Sequence, residues 1–258
     1  MYYNIYNMVK EQYARSALSR NVNFLLGGET KQNGGGSSIF KSNLSNLFKL
    51  ITDKKEFFIM VFANLIVQLG ITFYVMEKIN LDPNDSETIH KIRLLGLLQL
   101  LIVIVIGFVP MPSWLKFIMF CIFSAVGGYM FSPIRQLAGE DAIKTVLIGT
   151  ISIFALMFAL GTGLILSGIQ LGFKFGLILF YFLLSLILIK LIQLFIPTSS
   201  LFKKIITICS LLLFSVYIIY DTNSILQRNY YGDFITASMD YYLDIINIFI
   251  NILSLGKD

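Results

Sequence analysis

VYIIYDTNSIL (Val216–Leu226) and MDYYLDIINIFINIL (Met239–Leu253) place acidic side chains inside apolar segments of a chain that otherwise keeps charge out of them. A carboxylate near the centre of a membrane helix costs on the order of 2.5–3.5 kcal/mol on insertion scales, so it needs a partner, a proton, a cation or water. Asp240, Asp244, Asn247 and Asn251 step by 4, 3 and 4, which puts them on one face of a helix, while Ile245, Ile246, Phe249, Ile250 and Leu253 lie elsewhere on it. On the preceding segment Tyr217 lies four residues before Asp221 and Ser224 three after, so both hydroxyls share its face and can donate to it. If the two segments pack side by side, Asp221 and Asp244 approach each other. Two close carboxylates cannot both ionise cheaply, so the pair would share a proton or hold a cation, with Ca²⁺ suited to its oxygen ligands. Asp221 and Asp244 are therefore the candidate proton-sensing and ion-pathway residues and the candidate metal ligands. The alternative is two unrelated acids at the water boundary, each satisfied by solvent.

The rest of the composition agrees with a membrane protein. Hydrophobic residues make up 56% of the 258, charged residues only 14%, and mean hydropathy is +0.76, against roughly 25% charged in soluble domains. The net charge of +5 does not point to nucleic acid, because eight of the 20 basic residues sit in the first 55 and the others are scattered between apolar runs. Cys121 and Cys209 fall inside apolar segments and read as small core residues. A single histidine, His90, excludes a His-cluster metal site and argues against a Ser–His hydrolase, so no enzyme activity and no resident cofactor are expected. No cleaved signal peptide is expected either.

Two regions follow. Residues 1–50 are polar, contain GGETKQNGGGSS (Gly27–Ser38), and read as a flexible tail; residues 51–258 read as a membrane domain. Lys49, Lys54 and Lys55 before the first apolar segment suit a cytosolic N-terminal side. Of two glycosylation sequons, at Asn43 and Asn84, that topology exposes only Asn84 to the opposite side. Seven apolar segments, at about 57–76, 92–109, 114–131, 143–162, 175–196, 203–222 and 237–254, are long enough or nearly so to cross a bilayer. The short connections favour an all-α bundle of seven membrane helices, the last one short, polar on one face and enclosed by the others. Asn64, Gln68 and Thr72 give the first segment a polar stripe that can face the acidic one. Helix packing explains such a stripe as well as a pore does. SAVGGYMFSP (Ser124–Pro133) and LGTGLILSG (Leu160–Gly168) supply small residues for close helix contact, and Lys190 reads as an interfacial anchor.

IIYDT (Ile218–Thr222) followed some twenty residues later by YYLDIINIFINIL (Tyr241–Leu253) resembles the signature of the transmembrane Bax-inhibitor-motif family, also called Lifeguard or Golgi anti-apoptotic proteins. VFANLIVQLGITF (Val61–Phe73) resembles that family's first helix. The resemblance implies a seven-helix protein of intracellular membranes, endoplasmic reticulum or Golgi, acting as a pH-sensitive calcium leak and as a suppressor of cell death. Lipid, calcium ions and membrane-bound cell-death regulators are the partners it implies. Many relatives carry basic residues at the end of the second helix that latch onto the sixth-helix aspartate. Here GFVPMPSWLK (Gly107–Lys116) stands in that place, and Lys116 is the nearest candidate latch cation for Asp221. Two further readings remain open: a non-conducting regulator that works by binding other membrane proteins, and a proton-coupled transporter. Oligomeric state is open as well.

Overall fold

The computed structural model describes residues 54–193, 196–228 and 232–256; the N-terminal tail, with its sequon at Asn43, lies outside them. Among the described residues the secondary structure is helical, with seven long helices: α1 (Lys55–Lys78), α2 (Ser86–Phe108), α3 (Ser113–Ala138), α4 (Glu140–Leu166), α5 (Phe173–Gln193), α6 (Ser200–Arg228) and α7 (Phe234–Leu255). They coincide with the seven expected segments, and most run longer by extending into polar residues beyond the apolar stretch. Asp85 caps α2 through the N–H groups of Glu87 and Thr88, and Asp233 caps α7 through that of Thr236. α7 accordingly has 22 residues, starting three before its expected beginning. α3 continues through Pro133, whose ring removes one N–H from the helix ladder.

The first six helices are long and apolar enough to cross a membrane. α7 falls outside that set because its acids, amides and hydroxyls lower its hydropathy, and the fold answers by enclosing it. α7 packs against α1, α3, α4 and α6 and is buried on nearly every side. Around it stand two triplets of like plan. In the first, α1 and α3 pack together and α2 lies on α3; in the second, α4 and α6 pack together and α5 lies on α6. Only 6% of the apolar window of α2 and 11% of that of α5 is buried, so these two are the lipid-facing outer helices. Three helices per triplet is an odd number, so the second triplet runs through the membrane in the opposite sense to the first.

The small residues do what their pattern suggested. A side chain at Gly128 of α3 would collide with the backbone oxygen of Thr72 on α1, and one at Gly161 of α4 would lie 2.7 Å from the backbone oxygen of Ile219 on α6. Each glycine brings two backbones of one triplet into direct contact. Aromatic rings then wedge α7 between the triplets. Tyr241 stacks on Phe62 of α1 at 6.0 Å and meets Phe154 of α4 edge-on at 5.3 Å, while Tyr242 meets Phe120 of α3 edge-on at 5.2 Å. Cys209 departs from its expected core position. It lies on the exposed surface of α6, because the inner face of that helix is taken by Ser210, Phe214 and Ile218.

Lys54, just before α1, does more than flank the membrane. Its ammonium donates to the carbonyl oxygens of Ile225, at 3.1 Å, and Leu226 at the end of α6, where the helix dipole favours a cation. Burial pushes this amine down to about 8 from 10.5. The unfolded chain therefore binds more protons than the folded one between about pH 8 and about pH 10.4, and the Lys54 contribution to stability rises with pH across that window. Melting midpoints in detergent should show this rise in the wild type and a flatter profile in Lys54→Met.

Candidate functional site

Helix pairing decides which acids meet. α6 and α7 are consecutive, antiparallel and in extensive contact, so Asp221, late in α6, lies level with Asp244, midway along α7. Both are buried, at 6% and 3% exposure, and their carboxyl groups interact directly, with Asp240 adding its charge one turn before Asp244. Tyr217 and Tyr241 stand within electrostatic range of all three acids. One oxygen of Asp244, Oδ2, is enclosed without a hydrogen-bond partner, and so is the Ser224 hydroxyl. Ser224 thus does not donate to Asp221 as its spacing suggested, because the Asp221 carboxyl reaches across to α7 instead of along its own helix. An enclosed carboxylate oxygen and hydroxyl left unpaired beside two further acids are groups a water molecule or cation would satisfy. Among the described residues no three acids, histidines or cysteines converge as a metal ligand set. Ca²⁺ takes six to eight oxygens, more than the two carboxyl groups present.

The rest of the polar face divides. Asn251 donates to Ser210 of α6 at 2.9 Å, whereas half-buried Asn247 turns back to the carbonyl of Leu243 at 2.7 Å. Asp240 is half-buried at the helix edge.

The polar stripe of α1 does not face the acids. Asn64 donates to Ser238 at 2.5 Å, Gln68 bridges Asn64 and Ser124, and the Thr72 and Tyr242 hydroxyls share a bond of 2.5 Å. Because the single Thr72 proton is directed at the backbone carbonyls of Gln68 and Ser124, Tyr242 is the donor in that last bond. These bonds join α1 and α3 to the Ser238–Tyr242 edge of α7, away from Asp244. Asn64, Gln68 and Thr72 hold the helices together, and Cys121 takes part by accepting from Gln68 at 3.4 Å.

Lys116 also takes a different partner. Its ammonium lies 2.5 Å from Asp233 and 3.1 Å from the Thr236 hydroxyl, and so ties the start of α3 to the cap of α7. It does not pair with Asp221, because residue 116 stands at the end of its helix, level with Asp233. Burial alone would raise the Asp233 carboxyl, but the Lys116 ammonium and the N–H and hydroxyl of Thr236 outweigh it and hold the group below the usual range. Its stabilising contribution is present above about pH 4 and is lost as pH falls through the lower folded-state value. Asp233→Ala should cost about 0.5–2 kcal/mol through the cap. Lys116→Met should cost less, since a partly exposed ion pair contributes about 0–1 kcal/mol. Melting midpoints of both variants in detergent check the order.

Sequence reasoning passed over several residues that shape the site. Asn223, two residues after Asp221, accepts from the N–H of Leu171 at 2.8 Å and donates to the carbonyl of Ile169 at 3.1 Å, which fixes the α4–α5 turn onto α6. Tyr241 shares a bond of 2.9 Å with Thr222. The adjacent tyrosines of α7 thus point to opposite triplets, Tyr242 to α1 and Tyr241 to α6. The four-residue step from Ser238 to Tyr242 was a readable sign of a second polar edge.

An all-helical bundle of six long apolar helices around a central one, with a buried acidic pair where the central helix meets α6, is an integral multi-pass membrane protein. Residues 52–256 match the family described as inhibitor of apoptosis-promoting Bax1, and the chain belongs to it. Among relatives, Protein LIFEGUARD 4 of Arabidopsis thaliana is 35% identical over 82 residues, 32% of this chain and 33% of that protein. Bax inhibitor 1 of Schizosaccharomyces pombe is 39% identical over 82 residues, 32% of this chain and 31% of that one. An uncharacterised protein of Helicobacter pylori is 34% identical over 150 residues, 56% and 61% of the two chains. Each match spans less than two-thirds of the relative's length.

Proposed function

We propose that the protein is a pH-sensitive calcium leak of intracellular membranes, with its N-terminal side in the cytosol, and that it restrains cell death by limiting stored calcium. The observation that carries this reading is the contact of Asp221 with Asp244 across α6 and α7, with Asp244 Oδ2 and the Ser224 hydroxyl enclosed and unpaired. Two acids in one low-dielectric site tend to share a proton. Taking the second proton removes both charge and oxygen ligands from the path of a cation, while losing the shared one attracts the cation and repels one helix from the other. The family description, inhibitor of apoptosis-promoting Bax1, supports the cell-death role.

The test is calcium flux through the purified protein in liposomes at acidic and alkaline pH. Flux that changes with pH supports the leak. A folded, inserted protein without flux would instead favour a non-conducting regulator that acts on membrane-bound cell-death proteins.

A further inference from the structure

Lys190 sits three residues before the end of α5, a lipid-facing outer helix, where a lysine ordinarily extends outward to the headgroups. Here its ammonium turns inward and donates at 3.2 Å to the hydroxyl of Ser210 on α6, a fully buried side chain. The same hydroxyl oxygen accepts from Asn251 of α7 at 2.9 Å. Asn251 lies seven residues after Asp244 on the same helix face, about 10 Å along the axis. One hydrogen-bonded chain therefore joins a positive charge at the outside of the bundle to the polar face of α7 that carries Asp244. Among the described residues the Lys190 ammonium meets this neutral hydroxyl and no carboxylate.

We propose that Lys190 sets the valence selectivity of the leak by holding a fixed positive charge at the end of the α7 polar face remote from Asp233. The inference rests on the calcium-leak reading. Coulomb repulsion from a fixed charge is twice as large for a divalent as for a monovalent cation, and it enters the rate exponentially. Removing the charge therefore multiplies the divalent rate by the square of the monovalent factor. A rise of about threefold for K⁺ goes with one of about tenfold for Ca²⁺. Ser210 and Asn251 are positioning residues that keep the ammonium turned inward.

Ca²⁺ and K⁺ efflux from liposomes, measured separately for the full chain, test this with wild type, Lys190→Met, Lys190→Arg and Ser210→Ala. The expected result is a Ca²⁺-to-K⁺ rate ratio that rises about threefold in Lys190→Met and stays at the wild-type value in Lys190→Arg. Ser210→Ala keeps the charge but frees it to swing toward the headgroups, so its ratio should also rise, by less; it carries the test if Lys190→Met does not fold. A merely structural role would loosen the bundle and speed both ions equally. An unchanged ratio in Lys190→Met or Ser210→Ala, with wild-type flux present and dependent on Asp221 and Asp244, overturns the role of Lys190 and leaves the leak standing. No flux of either ion through wild type overturns both.

Discussion

Liposomes carrying the Asp221→Asn, Asp244→Asn double variant should leak calcium at one rate at acidic and alkaline pH, where wild type changes its rate. The argument is electrostatic. Two unit charges about 4 Å apart at an effective dielectric of about 20 interact by about 4 kcal/mol. Each protonation step at the pair thus alters the energy of a passing cation by an amount of that order. A third of it, about 1.4 kcal/mol, is already tenfold in rate. Asparagine keeps the shape of aspartate and can hydrogen-bond across the same gap, so the bundle is expected to survive while titration is lost. The single variants should keep a reduced response, because the remaining acid still has Asp240 beside it. An unaltered pH response in the folded double variant would exclude the pair as the gate.

The second large effect is expected at Gly128. Even the methyl group of Gly128→Ala would strike the backbone oxygen of Thr72 and come within 2.8 Å of Val75 Cβ and 3.1 Å of the Met76 nitrogen. A backbone cannot turn aside as a side-chain tip can, so α1 and α3 must separate. Separation also stretches the bonds from Thr72 to the Ser124 carbonyl and to Tyr242. Overpacking of this kind typically costs about 1–3 kcal/mol, and lost interhelical bonds add about 0.6 kcal/mol each. Gly70→Ala on α1 is the matched control. Nothing lies within 4 Å of the added carbon there, and replacing a mid-helix glycine should stabilise by about 0.5–1 kcal/mol. The two variants should therefore shift the melting midpoint in opposite directions. Equal shifts would mean that the α1–α3 contact is looser than the glycine implies.

Both expectations depend on α7 being held in one register. Its adjacent tyrosines bond to different triplets, Tyr242 to Thr72 of α1 and Tyr241 to Thr222 of α6. A shift of α7 that broke one of these bonds would also carry Asp244 past Asp221. The Lys116–Asp233 bridge at the start of α7 restrains the same movement from the end of the bundle.

The sequence by itself determined the membrane class, the seven helices and the identity of the acidic pair. Those properties are local: long apolar runs need helices to satisfy their backbone in lipid, and an aspartate inside such a run is conspicuous because charge there is costly. The 4, 3, 4 step of Asp240, Asp244, Asn247 and Asn251 likewise follows from helical geometry alone. Only the tertiary structure decided which polar groups face each other. Asn64, Gln68 and Thr72 have the spacing of a stripe that can face the acids, but the Gly128 contact turns that stripe toward Ser124 and the Ser238–Tyr242 edge of α7. Lys116 meets Asp233 because α3 and α7 run parallel with their starts level, and Lys54 meets the end of α6 because α1 and α6 run antiparallel, although the partners lie 117 and 171 positions apart in sequence. A helix period specifies which side chains share a face. The rotation of that face toward a particular neighbour is set by interhelical packing and hydrogen bonds, and these exist only once the bundle has closed.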